Sequence, residues 1–220
     1  MRARGLTLAV ALLASVTSCT DDDAVDPRPD PSSTTTTSAT PGTTAADDPG
    51  LGALLLGSDD LPAGFEATAG VDDTITAFCA GQDAAAGLQA SGRAAIGFQR
   101  TPPGASVIEL VFRFEADGAQ QFVAQAEGLL DGCSDVPDAT GLAFTYEPAS
   151  PEVAASLAED EPSASRYGTS VGSGNLTINI AVVQRGDLGA LIAVLGLDLP
   201  RAELDALAST AFAAALEPLG

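Results

Sequence analysis

The composition of this 220-residue chain excludes several classes of function. It holds 30 Asp and Glu against nine basic residues, and its formal net charge is −21. Because such a field repels nucleic acid and anionic lipid headgroups, neither is expected as a partner. The chain has no histidine, which removes Ser-His-Asp and Cys-His catalysis and the commonest zinc ligand. All nine basic residues are arginine, so a phosphate-binding P-loop with its lysine is also excluded.

Residues 1–18 are predicted to be a lipoprotein signal peptide. Two arginines precede an apolar stretch over 6–16, which is shorter than the roughly 20 residues that span a bilayer. The stretch ends in Val-Thr-Ser-Cys, which resembles the bacterial lipobox. The resemblance implies that Cys19 carries a diacylglycerol group and becomes the mature N-terminus; an ordinary secretory signal is the alternative. Two acyl chains on one cysteine anchor a protein stably in a membrane, which a single chain does not. We therefore expect a lipid-anchored protein on the extracytoplasmic face of the cell membrane.

Residues 19–49 are predicted to be a disordered tether. They are rich in Thr, Ser, Pro and Asp and show no apolar periodicity, so they cannot bury enough surface to offset the entropy of ordering. A flexible chain of this length typically spans about 30 Å. The remaining residues, 50–220, have the size of a single folded domain.

The first half of this domain is predicted to contain a short helix or turn over 51–56 and a strand over 65–71. A hairpin follows, with strands over 93–100 and 106–115. In its second strand the large apolar side chains alternate with polar ones and predict one apolar face: Ile108, Leu110, Phe112 and Phe114 on one side, and Glu109, Arg113 and Glu115 on the other.

The second half alternates between helical and strand patterns. Helices are predicted over 118–133 and 200–219, and the second of them has an apolar face formed by Leu204, Leu207, Ala208, Ala211, Phe212 and Leu216. Strands are predicted over 141–148, 165–172, 175–185 and 188–197, with the last two joined by an Arg-Gly-Asp turn. These elements predict an α+β, two-layer domain, in which a mostly antiparallel sheet of about six or seven strands is flanked by two main helices.

The chain has three cysteines, and the fate of Cys19 decides the role of the other two. If Cys19 is lipidated, Cys79 and Cys133 remain as an even pair in an exported protein, where a disulfide is the expected state. A metal site or a catalytic dithiol is the alternative. Two thiols so far apart in a chain without histidine form a poor zinc site, and they do not form a Cys-x-x-Cys redox pair.

The order of features resembles a known domain. Leu-Leu-Leu-Gly-Ser-Asp-Asp-Leu-Pro-Ala-Gly-Phe over 54–65 opens it, a cysteine follows in Ala-Phe-Cys-Ala-Gly, and a strand-helix unit over 112–135 contains the second cysteine. With the strands over 177–194 and the Ala-rich last helix, the chain resembles the extracellular sensor domain of mycobacterial serine/threonine protein kinase H and related actinobacterial lipoproteins. The resemblance implies a helix-flanked antiparallel sheet, a ligand-binding cleft and no enzymatic activity. That domain has two disulfides, whereas this chain has cysteines for one, and the kinase is absent.

The sequence therefore predicts a non-catalytic ligand-binding or sensor module with no cofactor and no metal. The expected partner is a small or amphipathic ligand or an envelope protein, bound in an apolar pocket beside the strands over 176–195. The acidic pairs at 59–60 and 72–73 lack the ligand spacing of a calcium loop. Two alternatives remain open: a cell-envelope hydrolase that uses a carboxylate pair, and a protein-interaction or adhesive surface protein.

Overall fold

The computed structural model describes residues 48–68, 82–102, 104–132, 143–157, 162–171 and 175–220, within the compact unit Pro41–Gly220. These ranges contain seven strands: β1 (Glu66–Ala67), β2 (Ala90–Arg100), β3 (Gly104–Phe114), β4 (Phe144–Pro148), β5 (Ser163–Ser170), β6 (Leu176–Arg185) and β7 (Leu188–Leu197). They also contain four α-helices: α1 (Pro49–Gly52), α2 (Gly118–Gly132), α3 (Pro151–Ala155) and α4 (Arg201–Leu216). Single 3-10 turns lie at Ser58–Asp60 and Glu217–Leu219.

The strands form one antiparallel sheet in the order β1-β2-β3-β7-β6-β5-β4. Two hairpins, β2–β3 and β6–β7, meet at the centre, where β3 pairs with β7 from Gly104 opposite Leu197 to Arg113 opposite Leu188. The chain thus adds its last strand to the middle of the sheet. Long strands with alternating apolar residues account for the length of this central pairing.

The two long helices cover opposite faces of the sheet. Phe122, Ala126 and Leu130 of α2 belong to one hydrophobic core, and the apolar residues of α4 belong to the other. Strand β7 contributes to both cores in alternation, since Leu191 faces α2 and Ile192 lies on the side of α4, and neither residue is exposed. We call the two sides the α2 face and the α4 face.

The α+β class, the antiparallel sheet of seven strands and the two main helices are confirmed. All six residues of the predicted apolar face of the last helix are buried, and β7 has the predicted bounds. The expectation of two layers is wrong. Because α2 and α4 lie on opposite faces of the sheet, the domain has three layers, with the sheet in the middle.

The prediction of a single apolar face on the first hairpin is wrong. Glu109, expected on the polar side of β3, has no solvent exposure, and its neighbours Val107 and Val111 on the same face are fully buried. The face is covered by α1, the loop after it and α4, whose buried leucines share the same core. In addition, the strand predicted over 65–71 is seen only as Glu66–Ala67 in the part of the chain that the structure describes.

The predicted lipidation site and disulfide lie outside the described residues. Cys19, Cys79 and Cys133 all fall there, as do the signal peptide over 1–18 and residues 19–47 of the tether. These assignments stay predictions. At the junction, Asp48 caps α1 by accepting a hydrogen bond from the Gly50 N–H.

Candidate functional site

A buried carboxyl group lies on the α4 face, at Glu109 of β3. Its Oε2 accepts a hydrogen bond of 2.7 Å from the Leu56 N–H, 53 residues earlier in the chain. Its Oε1 is buried and has no hydrogen-bond partner among the residues that the structure describes. Burial raises the pKa of Glu109 from 4.5 to about 7; the Leu56 N–H opposes this rise, and the negative charge of Asp60 adds to it.

The segment 48–61 covers this carboxyl group, and its first residue is attached to the sheet by an ion pair and a hydrogen bond. The Asp48 carboxylate forms a 2.6 Å ion pair with Nη1 of Arg113, and the Asp48 N–H donates to the Arg93 carbonyl. Further along, Leu51 and Leu56 are buried against the sheet at 0% and 3% exposure. The segment therefore forms a flap over the sheet, with Glu109 beneath it.

A second polar group is buried under α4. The Asn179 Nδ2 on β6 donates a 2.8 Å hydrogen bond to the Asp205 Oδ1, and both side chains are buried. Arg201, one turn earlier on α4, approaches the Asp205 Oδ2 at 3.6 Å, lies 4.1 Å above the Tyr167 ring and donates to Glu147. This network ties α4 to three neighbouring strands.

The sequence analysis predicted only apolar residues on the buried side of α4, although the position of Asp205 in the helix already indicated a buried carboxylate there. Asp205 precedes Ala208 and Phe212 by three and seven residues, the spacing of one helix face. A carboxylate on that face must be buried with a partner. The partner, Asn179, lies 26 residues earlier and could not be identified from the helix alone.

An open groove lies between α3 and the end of α4, with a volume of about 390 Å³. That volume is within the range of small-molecule sites. The lining is mixed, with apolar and polar surface in similar amounts and one charge of each sign; it consists of Ala155, Ser156, Leu157, Arg185, Ala213, Leu216, Glu217 and Gly220. The groove is shallow and widely open to solvent.

The middle of β6, within the strands over 176–195, is buried in the described structure. Ile180, Ala181 and Val182 are at most 2% exposed, because β6 is packed between α2 and α4. Only Arg185, the last residue of β6, reaches the groove. The turn that follows, Arg185-Gly186-Asp187, joins β6 to β7 as predicted, and Gly186 supplies the positive φ of 58° that such a turn needs.

Two of the described acids, Glu109 and Asp205, are buried. Glu109 lies under the flap and is hydrogen-bonded to Leu56, whereas Asp205 lies on the sheet-facing side of α4 and is hydrogen-bonded to Asn179. Within the described ranges no three Cys, Asp or Glu residues come together as a metal site would require. No helix of the described structure has the length and apolar character needed to cross a membrane.

No family model and no curated protein sequence matches the chain. A solved structure does: the fold resembles the extracellular domain of PknH from Mycobacterium tuberculosis with a TM-score of 0.51 and 17% sequence identity. The match covers 78% of this chain and 98% of that domain. The resemblance predicted from the order of sequence features is therefore confirmed at the level of the fold.

Proposed function

We propose that the protein is a lipid-anchored, extracytoplasmic sensor module that binds a ligand and has no catalytic activity of its own. The observation that carries the proposal is a fold shared with nearly the whole extracellular domain of PknH. An N-terminal stretch with the pattern of a lipoprotein signal supports the location.

The groove between α3 and α4 is the proposed ligand site. Its volume of about 390 Å³ accommodates a small molecule, and its apolar side chains, Leu157, Ala213 and Leu216, would hold an acyl chain or similar group. Arg185 and Glu217 place polar interactions at the same site. An amphipathic ligand of the cell envelope fits this combination.

Replacement of Cys19 by serine is expected to release the protein from the membrane. Serine cannot form the thioether to diacylglycerol, so the variant loses the anchor while the domain keeps its fold. Membrane fractionation and incorporation of labelled palmitate measure the first effect, and thermal unfolding measures the second. Cys79→Ser is the matched control: it should stay in the membrane fraction but unfold at a lower temperature. A Cys19→Ser protein that remained in the membrane would contradict the proposed anchor.

Ligand binding in the groove can be followed with a single indole, because the chain has no tryptophan. Ala213→Trp places one at an exposed position of the groove lining. We expect lysophosphatidylcholine below its micellar concentration to shift the emission to the blue and to saturate. At a hundredfold excess over Kd, the same ligand would stabilise the fold by about 2.7 kcal/mol.

The matched control is Glu115→Trp, at an exposed position that does not line the groove. Its emission should not saturate with the same lipid. Equal responses of the two variants would indicate unspecific partitioning and would contradict the groove as the site.

A further inference from the structure

We propose that Glu109 and the segment 48–61 form a proton-controlled latch, in which the neutral carboxyl group holds the segment on the α4 face and the ionised carboxylate releases it. The contact is direct, because the Leu56 N–H donates to the Glu109 Oε2 at 2.7 Å. Glu109 is fully buried, while Leu56 and Leu61 are 3% and 7% exposed. The carboxyl group and the segment thus exclude water from each other.

The buried environment beneath the segment 48–61 favours the neutral form of the Glu109 carboxyl group over the ionised form. In the neutral state the Oε2 accepts the Leu56 N–H and the Oε1 can carry the proton. In the ionised state the carboxylate carries a full negative charge without contact to water, and its Oε1 has no hydrogen-bond partner within the described ranges. This state therefore costs desolvation free energy. Lifting the loop over 53–61 would admit water and remove this penalty.

Asp60 increases the difference between the states. It belongs to the segment itself, where its Oδ2 accepts the Gly57 N–H at 2.6 Å, and its negative charge acts on Glu109. Ionisation of Glu109 therefore adds repulsion between the sheet and the segment. The beginning of the segment stays attached, since the ion pair of Asp48 with Arg113 does not depend on Glu109.

On the segment itself the other charged group near Asp60 is the exposed Asp59, and the charged groups of the neighbouring strands and of α4 are engaged with one another. On this face the described pairs are Arg100 of β2 with Glu203 of α4, Arg113 of β3 with Asp48 and Asp187, and Asp205 of α4 with Asn179 and Arg201. The opposing positions on β2 and β7 are the apolar Ile96 and Ile192. No cation among the described residues hydrogen-bonds or forms an ion pair with the Glu109 carboxylate, so a proton is what neutralises it.

The size of the effect follows from the pKa of Glu109, which burial raises from 4.5 to about 7. If opening returns the group to its ordinary value, the equilibrium for opening increases by up to about 300-fold over the whole titration. Between about pH 5 and about pH 8.5 the increase is roughly 75-fold.

Hydrogen exchange of the full chain tests this latch. After correction for the intrinsic exchange rate, the opening equilibrium constant measured at the amides over 56–61 should increase roughly 75-fold from about pH 5 to about pH 8.5. Glu109→Gln should make their opening independent of pH. Glu203→Gln, the same substitution at a half-exposed carboxylate, should leave the pH dependence intact.

Equal pH dependence in the parent and in Glu109→Gln would overturn the proposal, as would constant protection of the Leu56 amide in the parent. If Glu109→Gln fails to fold, a ¹³C titration of the Glu109 carboxyl carbon in the parent decides. A midpoint near 7 supports the latch, and a midpoint near 4.5 overturns it.

Discussion

Replacement of Phe122 by alanine is expected to lower the free energy of unfolding by about 3–5 kcal/mol. Phe122 of α2 has no solvent exposure, and its ring lies 5.5 Å from that of Phe112 and 5.4 Å from that of Phe114. It also lies against β7, where a methyl group added at Gly189 would come within 2.8 Å of the Phe122 ring. Truncation leaves a cavity between the helix and the sheet, and urea unfolding measures its cost.

Leu129→Ala, on the same helix, is the matched control. Leu129 is only partly buried beside the same core, so its truncation should cost clearly less than that of Phe122. A Phe122→Ala variant within about 1 kcal/mol of the parent would show that α2 contributes little to the stability of the domain.

The second large effect is on the pH dependence of stability. Because the pKa of Glu109 is raised to about 7 in the folded state, the folded protein binds more protons than the unfolded one between pH 4.5 and about 7. The stability from protonated Glu109 is therefore fully present below pH 4.5 and is lost as the pH rises to about 7. Its magnitude is about 3 kcal/mol.

Glu109→Gln keeps an oxygen for the Leu56 N–H and is neutral at every pH. The parent should lose about 3 kcal/mol relative to this variant from about pH 4.5 to about pH 8. Urea unfolding of both proteins at a series of pH values gives the difference, and subtraction removes the contribution of the many other acids. Parallel curves would mean that Glu109 titrates normally in the folded state. The free energy of unfolding of Glu203→Gln should depend on pH in the same way as that of the parent.

The local pattern of the sequence predicted most elements of the sheet. The bounds of β7 are those expected, and β3 and β6 differ from prediction by one or two residues. Apolar alternation identified them because a strand presents its side chains to two faces in turn. Of the strand predicted over 65–71, only Glu66–Ala67 are in strand conformation among the described residues 65–68, because a short edge strand carries too few residues to show a pattern.

The candidate sites depend on contacts that no local pattern contains. The donor to Glu109 is 53 residues away, and the acceptor for Asn179 is 26 residues away. The groove combines α3, the end of α4 and one residue of β6. Neither the polarity of Glu109 nor its position on β3 could reveal that another segment would cover it.

By itself the sequence determined the class of the domain, its order of helices and strands, and the exclusion of histidine- and lysine-dependent chemistry, because composition and periodicity are properties of the chain. Only the tertiary structure decided that helices cover both faces of the sheet, that Glu109 is buried beneath the segment 48–61, and where the groove lies. Burial is a property of distant segments brought together, and desolvation turns an ordinary surface carboxylate into a group that titrates near pH 7.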